Sequence, residues 1–111
     1  MLSNRDLGWI AGLLEGEGSF TARNHYGHPR ITLGSTDLDV LVRLDSLIPG
    51  GTICERKARN SLAANPKRLW TWQLQKHKLA AGWMQTLYPL MGERRQEQIR
   101  VVIARWKEGK K

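Results

Sequence analysis

Residues 9–20, Trp-Ile-Ala-Gly-Leu-Leu-Glu-Gly-Glu-Gly-Ser-Phe, run from an apolar helix-forming stretch straight into two acids interleaved with glycines. Carboxylates at a helix C-terminus meet the negative end of the macrodipole, where Lys or Arg is favoured. Such an ending calls for a positive group beside it. Gly8, Ala11, Gly12, Glu15 and Gly16 recur at three-and-four spacing, so one side of the helix carries almost no side chain and admits a second backbone at close range. Ile10, Leu13 and Leu14 fall on the other side and are assigned to the core. The helix therefore has an apolar face for its own chain and a bare face, Gly8, Ala11, Gly12 and Glu15, for a dimer partner.

The remaining elements follow from periodicity. Ser3 with Asp6 three residues on makes a capping box, which starts the helix at Asn4. The period then changes to two: Ser19, Thr21, Arg23 and His25 form the polar side of a strand whose apolar side holds Phe20 and Ala22. Tyr26-Gly27-His28-Pro29 supplies a turn, after which Arg30, Thr32 and Gly34 alternate with Ile31 and Leu33. Thr36 and Asp39 make a second capping box ahead of a helical stripe, Val40, Leu41, Leu44, Leu47 and Ile48, that Pro49-Gly50-Gly51 ends. A third strand runs from about Thr52 to Arg59, with Arg56 its outward member, and a polar loop from Asn60 to Lys67 leads to a fourth. There Trp70, Trp72 and Leu74 share one phase and Thr71, Gln73 and Gln75 the other, which assigns both tryptophans to the core in preference to base stacking. Leu79, Ala80, Trp83 and Leu87 mark a third helix closed by Pro89. Ile99, Val102, Ile103 and Trp106 mark a fourth from about Glu93, with a frayed tail from Lys107. The expected fold is α+β in the order αββαββαα: a four-stranded antiparallel, saddle-like sheet with helices on one face.

At 111 residues, 41% hydrophobic and 25% charged, the chain has the length and composition of a single globular domain, residues 1–111. No apolar run approaches the roughly 20 residues of a membrane span, and the N-terminus lacks a signal-peptide core. The expectation is a soluble, intracellular protein with no membrane partner. Cys54 is the single cysteine, so an internal disulfide is excluded, and no Cys/His spacing suggests zinc. The net charge of +8 is localised. Segments 19–35 and 51–78, the two hairpins, hold nine bases against one acid, while elsewhere acids and bases cancel. A basic surface confined to two hairpins is the footprint of a polyanion.

Ile10-Ala11-Gly12-Leu13-Leu14-Glu15-Gly16-Glu17-Gly18 resembles, position by position, the motif of the LAGLIDADG homing endonucleases. Glu replaces Asp at positions 15 and 17 and Gly replaces Ala at 16, which keeps charge and smallness. The resemblance implies that the motif helices of two subunits pack together and present their last acids to Mg²⁺ and DNA. It carries the metal-binding and catalytic acid onto Glu17, with the Gly16 carbonyl beside it. It also places a basic catalytic residue near the start of the last helix, where Arg94 is the nearest match and Arg95 the second. The family's helices and sheet agree in order with the elements read above, so the likeness extends over the whole chain.

The chemistry that follows is phosphodiester hydrolysis, which needs an activated water, neutralised phosphoryl charge and a stabilised leaving oxygen. One chain supplies one such acid, so the site is complete only where two subunits meet on a two-fold axis. An open β-face suits the DNA major groove, where Arg pairs with guanine and Gln with adenine. Arg23, Arg30, Arg56, Thr32, Thr71, Gln73 and Gln75 are the natural readers, with Thr21 and His25 on the same side of the first hairpin. Lys57, Arg59, Lys67, Arg68 and Lys76 are better placed for phosphates. The expected function is metal-dependent cleavage of double-stranded DNA at a near-palindromic site by a homodimer, in the setting of intron or intein mobility. The alternative on the same scaffold is a DNA-binding regulator or an intron RNA maturase.

Overall fold

The computed structural model describes residues 2–23, 25–56 and 68–109. Among the described residues four helices and four strands follow in the expected order: α1 (Asn4–Glu17), β1 (Gly18–Arg23), β2 (His28–Ser35), α2 (Leu38–Leu47), β3 (Thr52–Arg56), β4 (Leu69–Leu74), α3 (His77–Leu87) and α4 (Glu93–Gly109), with a 3-10 turn at Tyr88–Leu90. The strands form one antiparallel sheet in the order β1-β2-β4-β3. This is the α+β architecture that the periodicities predict.

Local chemistry sets the boundaries. Ser3 caps α1: its hydroxyl accepts from the Asp6 amide at 3.0 Å and donates to the Asp6 carboxylate at 3.0 Å. The second expected box, Thr36 with Asp39, does not form. Asp37 is the N-cap of α2 and makes no side-chain cap bond, while its amide donates to the Ser35 hydroxyl at 3.0 Å. That bond turns the chain off the end of β2 and moves the helix start past the expected cap. Pro29, expected in a turn, lies inside β2 opposite Ala22. It is tolerated there because β4 pairs with β2 only from Ile31 onward, so Pro29 lies beyond the ladder on that side. The tail expected to fray from Lys107 is instead helical to Gly109, where a side chain would collide with the Tyr26 backbone.

Alternation along the strands separates two faces. Phe20, Ile31, Leu33, Trp72 and Leu74 are buried under the helices, against Ile10 and Leu14 of α1, Leu41 and Leu44 of α2, Ala80, Met84 and Leu87 of α3, and Ile99 and Val102 of α4. Trp72 is the largest fully buried side chain, and its indole Nε1–H donates to Asp45 Oδ1 at 3.1 Å. Loss of a side chain this size from a packed core costs about 3 to 5 kcal/mol, so Trp72 is the main anchor between sheet and α2. Trp70 is half-buried against the same core, so both tryptophans face inward as their phase with Leu74 requires.

The bare face of α1 is narrower than its spacing implies. Ala11 is buried beside Ile10 and Leu14 in the chain's own core, whereas Gly8, Gly12 and Gly16 are exposed. Ala11 shares a helical stripe with Leu7 and Leu14, and that apolar phase overrides its place among the small residues. No described helix is long and apolar enough to cross a membrane.

Candidate nucleic-acid interface

The sheet's outer face is a lattice that the register makes explicit. Ser19, Thr32, Gln73 and Thr52 form one row across all four strands; Gly34, Thr71 and Cys54 form the next, and Leu69 with Arg56 the one beyond. On the other side of the first row lie Thr21 with Arg30, then Arg23, whose register partner His28 turns its ring onto His77 of α3. Arg30 Nε donates to Thr21 Oγ1 at 3.3 Å, which braces a guanidinium in the middle of the face. Gln75, just past the end of β4, donates its side-chain amide to Gln73 Oε1, leaving the Gln73 amide donors and the Gln75 side-chain oxygen for further partners.

Glu17 enters this face through a junction with no loop. It is the last residue of α1, and Gly18 is at once the helix C-cap and the first residue of β1. A Cβ at Gly18 would stand 2.7 to 2.9 Å from Leu14 atoms, so only glycine lets helix and strand abut. Glu17 and Ser19 flank Gly18 at strand spacing and both line a depression of about 320 Å³ with Arg30, Thr32, Gly34, Arg56, Leu69, Thr71 and Gln73. The motif acid and the outer face are one continuous surface.

The positive group that the acidic helix end calls for is Arg95. Its Nε donates to the Glu15 carbonyl oxygen at 3.0 Å, one of the carbonyls that the last turn leaves without a helical partner. Its second guanidinium nitrogen donates to Gln98 Oε1 at 3.0 Å. The Glu15 side chain returns the contact: Oε1 accepts from the Gly92 amide at 3.2 Å, while Oε2 is buried with no partner among the described residues. Burial lowers the Arg95 pKa from its ordinary value; the charge of Arg94 acts in the same sense and Glu15 opposes both. Arginine stays protonated nonetheless, so a buried cation holds the negative end of α1. Of the two arginines at the start of α4, Arg95 is therefore the one packed against the motif helix, and Arg94 is exposed.

Removing the guanidinium should expose the difference between them. Arg95→Met leaves the Glu15 carbonyl and carboxylate without their cation, and is expected to lower unfolding free energy by about 1 to 3 kcal/mol. Arg94→Met is expected to stay within about 0.5 kcal/mol. Urea denaturation of both variants checks this, and equal midpoints would remove Arg95 as the clasp.

The other expected site residues are placed as follows. Arg56 projects on the outer face, as expected. Arg23 is exposed at its margin, Lys76 is exposed at the N-cap of α3 with its stem near Gly50, Leu74 and Leu79 and away from the outer face, and His25 is exposed in the β1–β2 turn, its ring edge-on to Tyr26. Arg68 is exposed and lies 3.5 Å from Glu55, a surface pair worth at most about 1 kcal/mol. Lys57, Arg59 and Lys67 lie outside the described residues. Ser19, Thr52, Cys54, Gly34 and Leu69 share the outer face without having been singled out. Once Arg56 is taken as outward, period-two spacing brings Cys54 and Thr52 with it.

No protein-family model and no curated protein matches the sequence. Solved structures do match. The archaeal intron-encoded homing endonuclease I-Vdi141I, complexed with DNA, is similar at 17% identity and a TM-score of 0.64, over 86% of this chain and 64% of that one. The group I intron-encoded homing endonuclease I-CeuI, also complexed with DNA, is similar at 12% identity and a TM-score of 0.69, over 94% of this chain and 55% of that one. I-CvuI, in complex with the I-CreI target in the presence of Mg and with its DNA not cleaved, is similar at 15% identity and a TM-score of 0.61. It matches over 90% of this chain and 69% of its own. This chain has the homing-endonuclease fold. It spans between half and two thirds of the first two of these chains. Within that fold, the acidic helix end and the open β-face of this chain meet in one depression.

Proposed function

We propose that this chain is one protomer of a homodimeric endonuclease that cuts double-stranded DNA at a near-palindromic site with Mg²⁺. The observation that carries the reading is the shared depression, in which Glu17 lies among Arg30, Arg56, Thr32, Thr71 and Gln73. A duplex held by those side chains has its backbone beside the motif acid.

The α1 glycines support the dimer. A Cβ at Gly8, Gly12 or Gly16 would meet nothing within 4 Å, so the chain's own packing does not require them. Each costs a helix about 1 kcal/mol relative to Ala. Close approach of the same stripe on a second copy gives them a use.

The donor set fits Mg²⁺. The ion takes oxygen ligands, few of them carboxylates, and keeps water and phosphate oxygens around it. Glu17 is exposed and the Gly16 carbonyl belongs to the unsatisfied last turn of α1. In the proposed dimer the Glu17 residues of the two protomers, with the Gly16 carbonyls and phosphate oxygens, would hold the ion. When bound, such an ion supplies an activated water and stabilises the leaving oxygen. Arg95 keeps the helix end in place, and the exposed Arg94 faces phosphate charge.

The test is selection from a randomised duplex library in Mg²⁺, with sequencing of cut ends and of bound, uncut duplexes. Discrete cuts in a near-palindrome that cease in EDTA are expected. Recovery of bound duplexes without cuts would make the protein a non-cleaving regulator, and preference for folded intron RNA a maturase.

Reading and positioning should separate under mutation. Arg68→Ala is expected to flatten the dependence of log affinity on log salt by about 0.9 for a lost phosphate contact, leaving sequence preference as it was. Gln73→Ala is expected to relax preference at one base pair per half-site, by about 1 to 3 kcal/mol. Competition binding against single-substitution duplexes over a salt series distinguishes the two. Unaltered preference in Gln73→Ala would exclude that residue as a reader.

A further inference from the structure

Among the described residues, Leu69 is the one large exposed hydrophobic side chain that lies on a strand; the others are on helices or turns. Its register opposite Arg56 puts it on the outer face, where alternation elsewhere supplies hydroxyls, amides and guanidinium groups. Core packing does not account for it, because the inward positions of β4 are Trp70, Trp72 and Leu74.

Its immediate surroundings are shaped around it. One neighbouring position on β2 is Gly34, exposed and without a side chain, and Leu69 Cδ1 lies 3.9 Å from where a Cβ of Gly34 would stand. The leucine thus leans over bare backbone, with Thr71 and Arg56 at its sides. The result is a small apolar notch in a polar surface, within the same depression as Glu17.

We propose that Leu69, seated over Gly34 and beside Arg56, reads the 5-methyl group of a thymine in the duplex bound on the outer face. The inference rests on the DNA-cleaving reading above and gives it one element of target specificity. In the major groove only thymine displays a methyl group, and an aliphatic contact is how a side chain recognises it. The threonines of the face, Thr32 and Thr71 in the same depression, each offer one methyl beside a hydroxyl. Leu69 is the wholly aliphatic side chain among them.

Deoxyuridine removes that methyl and leaves every hydrogen-bonding group of thymine in place. The probe is the duplex recovered by selection, with each thymine replaced singly by deoxyuridine and affinity measured by competition in Ca²⁺ or EDTA. At one position per half-site, the replacement is expected to weaken binding by about fourfold, the equivalent of one buried methyl group. In Leu69→Ala that position should no longer respond to deoxyuridine, and in Leu69→Met, which keeps an aliphatic tip, it should respond again. Leu69 is exposed, so neither variant disturbs the core. A selected half-site without thymine, or a deoxyuridine effect at every position that is the same in the parent and in Leu69→Ala, overturns the proposal and leaves DNA binding standing. Failure of the parent protein to bind any duplex overturns both readings.

Discussion

Glu17→Gln is expected to abolish cleavage and to leave the DNA complex intact. The amide keeps the size of the carboxylate and its capacity for hydrogen bonds, but not the charge that attracts a divalent cation. Changing residues that merely support metal ligands costs about 10- to 100-fold in affinity or activity, so loss of the ligand itself should exceed that range. Binding should be unaffected or somewhat tighter, because the exposed carboxylate lies beside Arg30 and Arg56 and repels phosphate. Glu15→Gln provides the comparison. Its carboxylate accepts from the Gly92 amide beside the carbonyl that Arg95 holds, so its loss should register first in stability. Cleavage at near the parent rate by Glu17→Gln in Mg²⁺ would make the motif acid structural and place hydrolysis elsewhere.

Gly12→Leu is expected to separate the protomers while making each one more stable. Open space surrounds a Cβ at this position, and leucine is a better helix former than glycine by roughly 0.5 to 1 kcal/mol. Within one chain the substitution should therefore raise the denaturation midpoint. Between two chains the added side chain holds the backbones apart, and cleavage, which in the proposed homodimer draws on both Glu17 residues, should fall with the dimer. Sedimentation equilibrium with and without target duplex reads the assembly, and urea denaturation at low protein concentration reads the monomer. A Gly12→Leu protein that remains dimeric and active would take the glycine stripe out of the interface.

Much of this arrangement is legible in the residues, and the exceptions have identifiable causes. The start of α1 is carried by a local bond, Ser3 to Asp6, that needs no knowledge of the rest of the chain. The faces of β1, β2 and β4 follow from strict alternation. Thr36 fails as a cap because a competing local bond, from the Asp37 amide to Ser35, depends on how β2 ends. Ala11 is ambiguous by nature, since a small residue satisfies both a core stripe and a close-packing stripe; its phase with Leu7 and Leu14 decides. That Arg95 is the arginine of the pair that packs against α1 is also legible in the residues. Arg95 stands four residues before Ile99 and seven before Val102, on the buried side of α4, whereas similarity to a motif weighs only nearness along the chain. The Glu15–Gly92 contact, by contrast, joins residues 77 apart and leaves no local signal.

The tip of the first hairpin is built into the helical layer. Tyr26 stacks on His28 with ring centroids 5.6 Å apart, His28 on His77 at 4.2 Å with the planes 12° from parallel, and the edge of His77 meets Trp106 at 5.9 Å. Gly27, at φ 65°, leaves no room for a side chain against Arg105. A finger extending from a sheet over DNA ordinarily surrenders conformational freedom when it settles into a groove, and affinity is lost to that ordering. Here the settling has been done during folding, by aromatic rings from α3 and α4. In the proposed DNA complex the first hairpin would accordingly act as a rigid gauge of groove shape: a duplex too wide or too narrow for the spacing of Arg23, Thr21 and Arg30 would itself have to deform, and its sequence would then be read through its stiffness as well as its base edges.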